Sequence, residues 1–573
     1  MSGSKTPKVN ASRVPWDYVI VTASNDAQAA AYESELRLRH KLGSLPGVRH
    51  VMVVADPEGK RVGSGGSTLC CLIDVVNREF ACRGPIPDGA FFEAVETVLR
   101  NQRILIIHAG GDSRRLPAYG PCGKIFIPIP GHGNPASGFA LFDRIAPAFM
   151  SLPPGREGCG QVVIAAGDAL VLFDPSNVSL ALPGLTALAC PDTPGQASKH
   201  GVFCAGADGR VRLYLQKPSQ DQQRKLGAVN GDGQALLDIG IMSFDSTLAM
   251  ALLHAFKVQR SSDGALGWPA VMKREVASRG VDFYREICCA MGEEATAAHH
   301  CQQAHRAGST WSPEALKEIH DALAPVPFHL QTIAHARFLH FGTTQQLISS
   351  GIVVRQNDSP GIAKDIPLSL NNHLGTDVRI SGLKGWVEGC RINAPLSLSR
   401  DNVVIGLEVN KSMTLPQGAC IDMLRGQGRS GRRVWFVRCY GIKDTFKDTV
   451  GKGGTFLGKP ILEWLADMGA RPEDVWDSSV PTDKRSLWDA RVFPAEFRCD
   501  GYRKWLWLFH PAWATAKQKQ AFLAADRYSA AEIAVLADQN DFFARRRRLR
   551  QGPAEDSTPN AFGGQSQGSD SRL

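Results

Sequence analysis

The sequence predicts an α/β protein with a Rossmann-like, mostly parallel sheet, then a parallel β-helix-like region, then a helical C-terminal region. Three observations predict it. Apolar strand-length runs alternate with helical periodicity from Asp17 to Ala166. Gly-rich loops fall at the ends of those runs. From Thr376 onward, short apolar pairs recur about every six residues, with Gly, Asn, Asp, Pro and Ser between them.

Taken in order, Asp17 to Ala23 (DYVIVTA) reads as a strand, and Asn25 or Asp26 caps a helix carrying Ala30, Leu36 and Leu42 on its apolar side. Val51 to Ala55 is the next strand. A loop follows through Gly63-Ser-Gly-Gly-Ser-Thr68, and helical pattern resumes at Leu69 and again from Phe91 to Leu99. Ile104 to Ile107 is a continuous apolar run, as in a buried parallel strand. A helix from about Gly138 to Met150, which Pro147 is expected to kink or shorten, precedes the strand Val162 to Ala166. Val211 to Gln216 is a further strand, stopped by Pro218. Sheets built this way are covered on both faces and bind ligands beyond the carboxyl ends of their strands. Both Gly-rich loops, and Gly167-Asp168, fall there.

The apolar pairs are Val378/Ile380, Trp386/Val387, Cys390/Ile392, Leu396/Leu398, Val403/Ile405, Leu407/Val409 and Met413/Leu415. An imperfect hexad of this kind suits a parallel β-helix, where each turn stacks on the last; short antiparallel strands in a small sandwich are the alternative. Beyond Phe456, Ile461, Leu462 and Leu465 have helical spacing, and Trp464, Trp476 and Trp488 are expected as core anchors.

The chain has 573 residues, enough for about three domains. Apolar content of 43% and charged content of 21% describe an ordinary globular protein, and no apolar run approaches the roughly 20 residues that span a bilayer. The start, MSGSKTPKVNASRVPWDY, lacks the apolar core of a secretory signal and reads as a disordered arm. The 14 cysteines include no C-x-x-C pair, as expected of free thiols in a reducing cytoplasm. Of the net charge of +9, Arg545 to Arg548 and Arg550 supply a compact basic run, which reads as a solvated helix end opened by the capping box Ser529-x-x-Glu532. A nucleic-acid surface would need basic and aromatic residues interleaved, so that class is disfavoured. From Gly552 the composition is that of a disordered tail.

The chemistry concentrates in RILIIHAGGDSRRLPAYGPCGK, Arg103 to Lys124. A strand entering Ala109-Gly110-Gly111 can turn backbone N–H groups toward an anion, while Arg114, Arg115 and Lys124 neutralise its charge. That suits a triphosphate. The spacing is neither G-x-x-x-x-G-K-[ST] nor G-x-G-x-x-G; it resembles G-G-x-x-x-R-L…K, the loop of sugar-1-phosphate nucleotidyltransferases. An ordinary turn with solvated arginines is the competing reading.

With WDYVIVTAS at 16–24, GSGGSTL at 63–69, HAGGDSRRLPAYGPCGK at 108–124, KHGVF at 199–203, LQKPS at 215–219 and FLHFGTT at 338–344, the chain resembles the L-fucose-1-phosphate guanylyltransferases, or GDP-L-fucose pyrophosphorylases. It is similar also to the N-terminal half of the bifunctional fucokinase/GDP-fucose pyrophosphorylases. It lacks a sugar-kinase Gly-Leu-Gly-Ser-Ser loop and ends short of a kinase domain, so a standalone transferase or a fragment of the bifunctional protein is expected. The resemblance implies GTP and L-fucose 1-phosphate as substrates, GDP-L-fucose and pyrophosphate as products, and Mg²⁺ as cofactor. Another sugar phosphate or nucleotide, or a silent nucleotide-sugar-binding protein, remains an alternative; self-association or a separate fucokinase is the partner expected.

The organisation expected is a disordered arm at 1–15, a nucleotidyltransferase domain at 16–345, a β-helix-like domain at 346–450, a helical region at 451–550 and a tail at 551–573. Gly65, Gly66, Gly110, Gly111, Arg114, Arg115, Lys124, His200 and Gly201 are the nucleotide-binding candidates. Arg115, Lys124 and Lys217 are the catalytic candidates, Lys217 through the sugar phosphate. Asp168 and Asp238 are the candidate Mg²⁺ ligands, with Asp168 as a helix N-cap the alternative for that residue. The attacking sugar-phosphate oxygen is already anionic, so positive charge and positioning, rather than a general base, are what the reaction requires.

Overall fold

The computed structural model describes residues 14–83, 86–111, 114–334 and 336–551, and over them the chain is a mixed α/β protein with several sheets, parallel in places. The expected arm up to residue 13, the tail from residue 552, and Asp112 and Ser113 of the glycine loop lie outside the described residues.

Strands β1 (Trp16–Ala23), β2 (Val48–Ala55), β3 (Arg103–His108) and β4 (Gln161–Ala166) lie parallel in the order β2-β1-β3-β4. The short β5 (Ala169–Leu172) leaves this sheet and pairs antiparallel with Arg337–His340. The sheet continues through β6 (Leu185–Asp192), β7 (Gly201–Ala205), β8 (Val211–Gln216) and β9 (Ala235–Phe244), with β9 antiparallel between β4 and β6. A β7–β8 hairpin hangs from β9, and Phe328–Thr332 adds a strand parallel to β6. The apolar runs predict the middle of this sheet because both faces are covered: Val19, Ile20, Leu105, Ile106 and Val163 are fully buried. Register then places function. Val21 lies opposite Ile107, and Ile107 opposite Ala165, so Ser24, Gly110 and Gly167 leave the sheet along one carboxyl edge.

Asn25 caps the helix Asp26–Lys41, as its residue type predicts. The segment expected to be a loop at Gly63 to Thr68 is instead the first turns of the helix Gly63–Ala81. The physical reason lies far along the chain: the Val281 carbonyl accepts from Gly65 N and Gly66 N at 2.8 and 3.1 Å, satisfying the first helical donors. A Cβ on Gly65 would meet the Val281 side chain at 2.8 Å. The close approach that glycine permits is to protein. The helix Leu141–Met150 runs on through Pro147 for its last residues.

Beyond residue 367 the chain forms three ladders of short parallel strands; each of the seven apolar pairs has at least one member on them, and four pairs lie on them wholly. Trp386 stands opposite Val403, and Val403 opposite Cys420, a step of 17 residues. The second ladder stacks Ile392 on Val409, and the third Leu396 on Met413. Turns repeat at the same interval: Lys384, Asp401 and Gly418 all take positive φ, as do Gly389 and Gly406. The stacked side chains Trp386, Val403, Cys420, Ile392 and Val409 are buried and make one continuous core.

The C-terminal region contains helices such as Ile461–Met468, yet it also contributes strands. Phe493–Glu496 pairs with Arg433–Gly441, and Arg527–Tyr528 pairs with Phe493–Glu496, extending the first ladder's sheet. Trp464, Trp476 and Trp488 are buried, as expected of core anchors.

The arginine run departs from expectation. The capping box at Ser529 opens the short helix Ala530–Leu536, and a separate helix, Gln539–Gln551, carries the arginines. That helix is not a solvated end. Arg546 is 4% exposed and bound to the fully buried Glu388; Arg545 pairs with Glu408 at 2.9 Å, Arg547 with Glu35, and Arg550 Nε donates to the Pro135 carbonyl at 2.9 Å. Arg548 is exposed. The basic residues tie the stacked ladders to the N-terminal sheet, and their positive charge is largely spent within the molecule. Among the described residues, no helix is long and apolar enough to cross a membrane, and no cysteine is in a disulfide.

Candidate functional site

A cavity of about 640 Å³ opens over the carboxyl edge of the sheet, lined by Arg115, Asp168, Lys199, His200, Lys217 and His340, among others. A smaller cavity of about 240 Å³ adjoins it, sharing Asp168, His200 and Lys217 and adding Gly201 and Asp238. Residues more than 120 positions apart in sequence therefore meet at one place.

Lys124 Nζ donates to Asp168 Oδ2 at 2.9 Å, which brings it to the same cavity. Recessed burial pushes the Asp168 carboxyl up, and Lys124, His340 and Arg115 together outweigh this and hold it below the ordinary carboxylate range. The chain reaches this point because Gly167 fits where a Cβ would lie 2.9 Å from the His108 carbonyl. A strand, β5, follows Asp168, so it caps no helix.

Asp238 is buried on β9. Tyr214 OH donates to its Oδ2 at 2.8 Å and Gly240 N to its Oδ1 at 2.7 Å. Burial nevertheless raises its pKa to about 6. Gly201 makes room for this arrangement: a Cβ there would sit 1.8 Å from the Tyr214 hydroxyl. Its small size admits Tyr214 to Asp238.

Lys217 follows β8 directly with φ of 48°, a left-handed conformation uncommon for lysine, and its N–H donates to the His200 carbonyl at 3.0 Å. Its exposed side chain lines both cavities. The His200 ring stacks on His340 at 5.7 Å, and Phe338 lies 5.9 Å from His200 and 6.1 Å from His340. Burial, with help from neighbouring cations, lowers the pKa of both histidines, favouring neutral rings at neutral pH.

The other expected residues lie elsewhere. Thr22 Oγ1 accepts from Gly110 N at 3.3 Å and Ser24 Oγ from Gly111 N at 2.6 Å, which holds the glycine loop against the end of β1. The Arg114 guanidinium lies over the Trp488 ring at 5.8 Å, facing the C-terminal region. Gly65 and Gly66 pack on Val281. Sequence reasoning missed Lys199, Arg337, Phe338 and His340 as lining residues, although KHGVF and FLHFGTT stood out as landmarks. A lysine beside His200 and a histidine ending an aromatic strand were the available signals.

A cation-rich crevice at the carboxyl ends of parallel strands, lined also by Asp168 and Asp238, has the chemistry that suits a phosphorylated ligand. The chain belongs to the fucose pyrophosphorylase domain family, which matches residues 96–497. It is 26% identical over 528 residues to a bifunctional fucokinase/GDP-fucose pyrophosphorylase of Arabidopsis thaliana, covering 84% of this chain and 47% of that one. To an L-fucokinase/L-fucose-1-P guanylyltransferase of Bacteroides fragilis it is 26% identical over 523 residues, covering 87% and 48%. To a fucose-1-phosphate guanylyltransferase of Homo sapiens it is 24% identical over 525 residues, covering 84% and 81%. The chain thus spans about half the length of the two bifunctional relatives.

Proposed function

We propose that this protein transfers the guanylyl group of GTP to L-fucose 1-phosphate, forming GDP-L-fucose and pyrophosphate. The convergence of Arg115, Lys124, Lys199 and Lys217 with Asp168 on one sheet-edge cavity carries this reading. The names of the relatives support the choice of sugar and nucleotide. On the same reading, residues 16–345 are a Rossmann-like nucleotidyltransferase domain, and the three ladders are successive turns of a β-helix.

A sugar-phosphate oxygen attacks the α-phosphorus in line; the new P–O bond forms as the bond to the β-phosphate oxygen breaks, and pyrophosphate leaves with the electron pair. The nucleophile is already ionised, so no side chain needs to take a proton. Arg115 and Lys124 neutralise the triphosphate and the leaving pyrophosphate, the fork of arginine bridging oxygens and lysine acting as a point charge. Lys217, with Lys199, holds the sugar phosphate. The aromatic wall of Phe338, His340 and His200 suits the apolar face and methyl group of a 6-deoxy sugar, and neutral rings there add no competing charge.

The donor set fits a divalent cation: Asp168 and Asp238 line one cavity, and Mg²⁺ commonly takes one or two carboxylates, completing its shell with water and phosphate oxygens. Bound there, it would add positive charge to the phosphates. Pyrophosphate release, measured with each nucleoside triphosphate and a panel of sugar 1-phosphates plus Mg²⁺, tests the proposal. GTP with L-fucose 1-phosphate is expected to give the highest kcat/KM. Release with a different pair and none with this one would overturn the assignment of substrates; no release with any would overturn catalysis.

A further inference from the structure

The signature loop has a second face. Between Arg115 and Lys124, Leu116, Pro117, Ala118, Tyr119 and Cys122 are buried, and for Pro117 and Tyr119 the buried contacts lie in the C-terminal half. The Trp386 indole donates to Tyr119 Oη at 2.8 Å, and Tyr119 Oη donates to Glu388 Oε2 at 3.2 Å. Arg546 Nε donates to Glu388 Oε1 at 2.8 Å, and Asn371 Nδ2 donates to the same oxygen at 3.0 Å. A second buried pair repeats the pattern: Arg438 Nε donates to Asp422 Oδ1 at 2.8 Å, while its Nη2 donates to the Pro117 carbonyl at 2.9 Å. Glu388, Asp422 and Arg438 are at most 1% exposed.

The two carboxylates are not scattered. Glu388 stands opposite Ile405 and Ile405 opposite Asp422, so they occupy one row of the stacked ladder, separated by a single strand. A row of a packed ladder is among the most rigid surfaces a chain can present. Burying two ion pairs in it is poor design for stability alone, because apolar residues of similar volume commonly do as well or better. What the arrangement supplies is direction: each arginine is fixed by its carboxylate, and each assembly fixes one point on the loop between the two phosphate-binding cations.

We propose that Tyr119, held by the Trp386–Glu388–Arg546 assembly, and Arg438, held by Asp422, are positioning residues for Arg115 and Lys124, so that the stacked region sets turnover without touching substrate. This rests on the assignment of guanylyl transfer above, and it is tested only in a wild-type enzyme that has shown that activity, so failure of one is not confused with failure of the other. Tyr119→Phe deletes one hydroxyl. It is expected to lower kcat by roughly ten- to a hundredfold, the range for a small misplacement of reacting groups. Its melting temperature should fall modestly below that of Arg548→Ala, a control at the exposed arginine of the C-terminal helix, because the buried Trp386 N–H loses its acceptor, while the enzyme stays folded at the assay temperature.

The decisive readout is coupling. If Tyr119 acts through the loop, Tyr119→Phe made in a Lys124→Ala background should cost clearly less in kcat than it does in wild type, because one of the two groups it positions is gone. Full additivity of the two losses, or a Tyr119→Phe enzyme with unchanged kcat, would overturn the proposal. Arg438→Lys supplies an independent test: lysine can keep the charge pair with Asp422 but cannot also reach the Pro117 carbonyl. It should show the same loss of kcat and the same non-additivity with Lys124→Ala; a fall in melting temperature with kcat unchanged would count against a positioning role.

Discussion

The cavity at the sheet edge and the interface between signature loop and ladder are built from the same residue types used in opposite ways. In the cavity, Lys124 and Asp168 meet at 2.9 Å with the Asp168 side chain 46% exposed, and Lys217 and Lys199 face solvent. At the interface, Arg546 and Glu388 are 4% and 0% exposed, and Arg438 and Asp422 are 1% and 0%. An accessible pair can exchange partners when an anion arrives; a pair sealed on all sides cannot. Charge near solvent is therefore available for binding, whereas buried charge works only through the groups it orients. The distinction also explains why a net charge of +9 is a poor guide to partners here, since much of the C-terminal arginine run is consumed internally.

Substitutions should separate the two regions, and the largest effect on turnover is expected in the cavity. Lys124→Ala and Arg115→Ala should each lower turnover by roughly 10²–10³-fold, about 3–4 kcal/mol, with little change in melting temperature. Asp168→Asn should sharply reduce Mg²⁺-dependent turnover and leave the fold intact; a Mg²⁺ titration with near-normal activity would place the cation elsewhere. Glu388→Ala, by contrast, should destabilise the chain by about 3–5 kcal/mol, because it strands Arg546 in an apolar setting. Urea unfolding measures that loss, and a change under about 1 kcal/mol would mean that the pair is hydrated in solution.

A pH titration sharpens the comparison on the cavity side. The Asp238 pKa of about 6 lies above the ordinary carboxylate value, so the stability associated with this group is greatest at low pH and is lost as pH rises through about 6. Its capacity to hold a cation runs the other way. The Mg²⁺ concentration for half-maximal activity should rise roughly fourfold between pH 7.5 and 5.5, on the fraction of Asp238 ionised, and Asp238→Asn should lack that component. Gly201→Ala, which pushes Tyr214 away from Asp238, should cost about 1–3 kcal/mol of stability, together with a weaker Mg²⁺ response.

Much of the cavity was legible in the sequence, because its ingredients are local. An apolar run followed by Gly-Gly predicts a strand and a turn, and the arginine and spaced lysine that follow are the ones that line the cavity (Arg115) and meet Asp168 (Lys124). The stacked ladders were legible for a similar reason: a repeating apolar pair needs no distant partner to be noticed. Features decided by contacts across the chain were not. Gly63 to Thr68 looks like a loop until Val281 supplies the carbonyl that accepts from its N–H groups. Arg545 to Arg550 look solvated until Glu35, Glu388 and Glu408 arrive from other regions. His340 and Phe338 carried no spacing rule, and only the pairing of their strand with β5 brings them over Asp168.

The central claim is that the sheet-edge cavity performs guanylyl transfer with Lys124 and Asp168 at its base. The most direct test is continuous pyrophosphate release from GTP and L-fucose 1-phosphate with Mg²⁺, run side by side on wild type, Lys124→Ala and Asp168→Asn, with a melting curve for each. Wild type should turn over steadily, and both variants should lose at least about 100-fold at melting temperatures close to that of wild type. Turnover by both variants within a few-fold of wild type would contradict the claim.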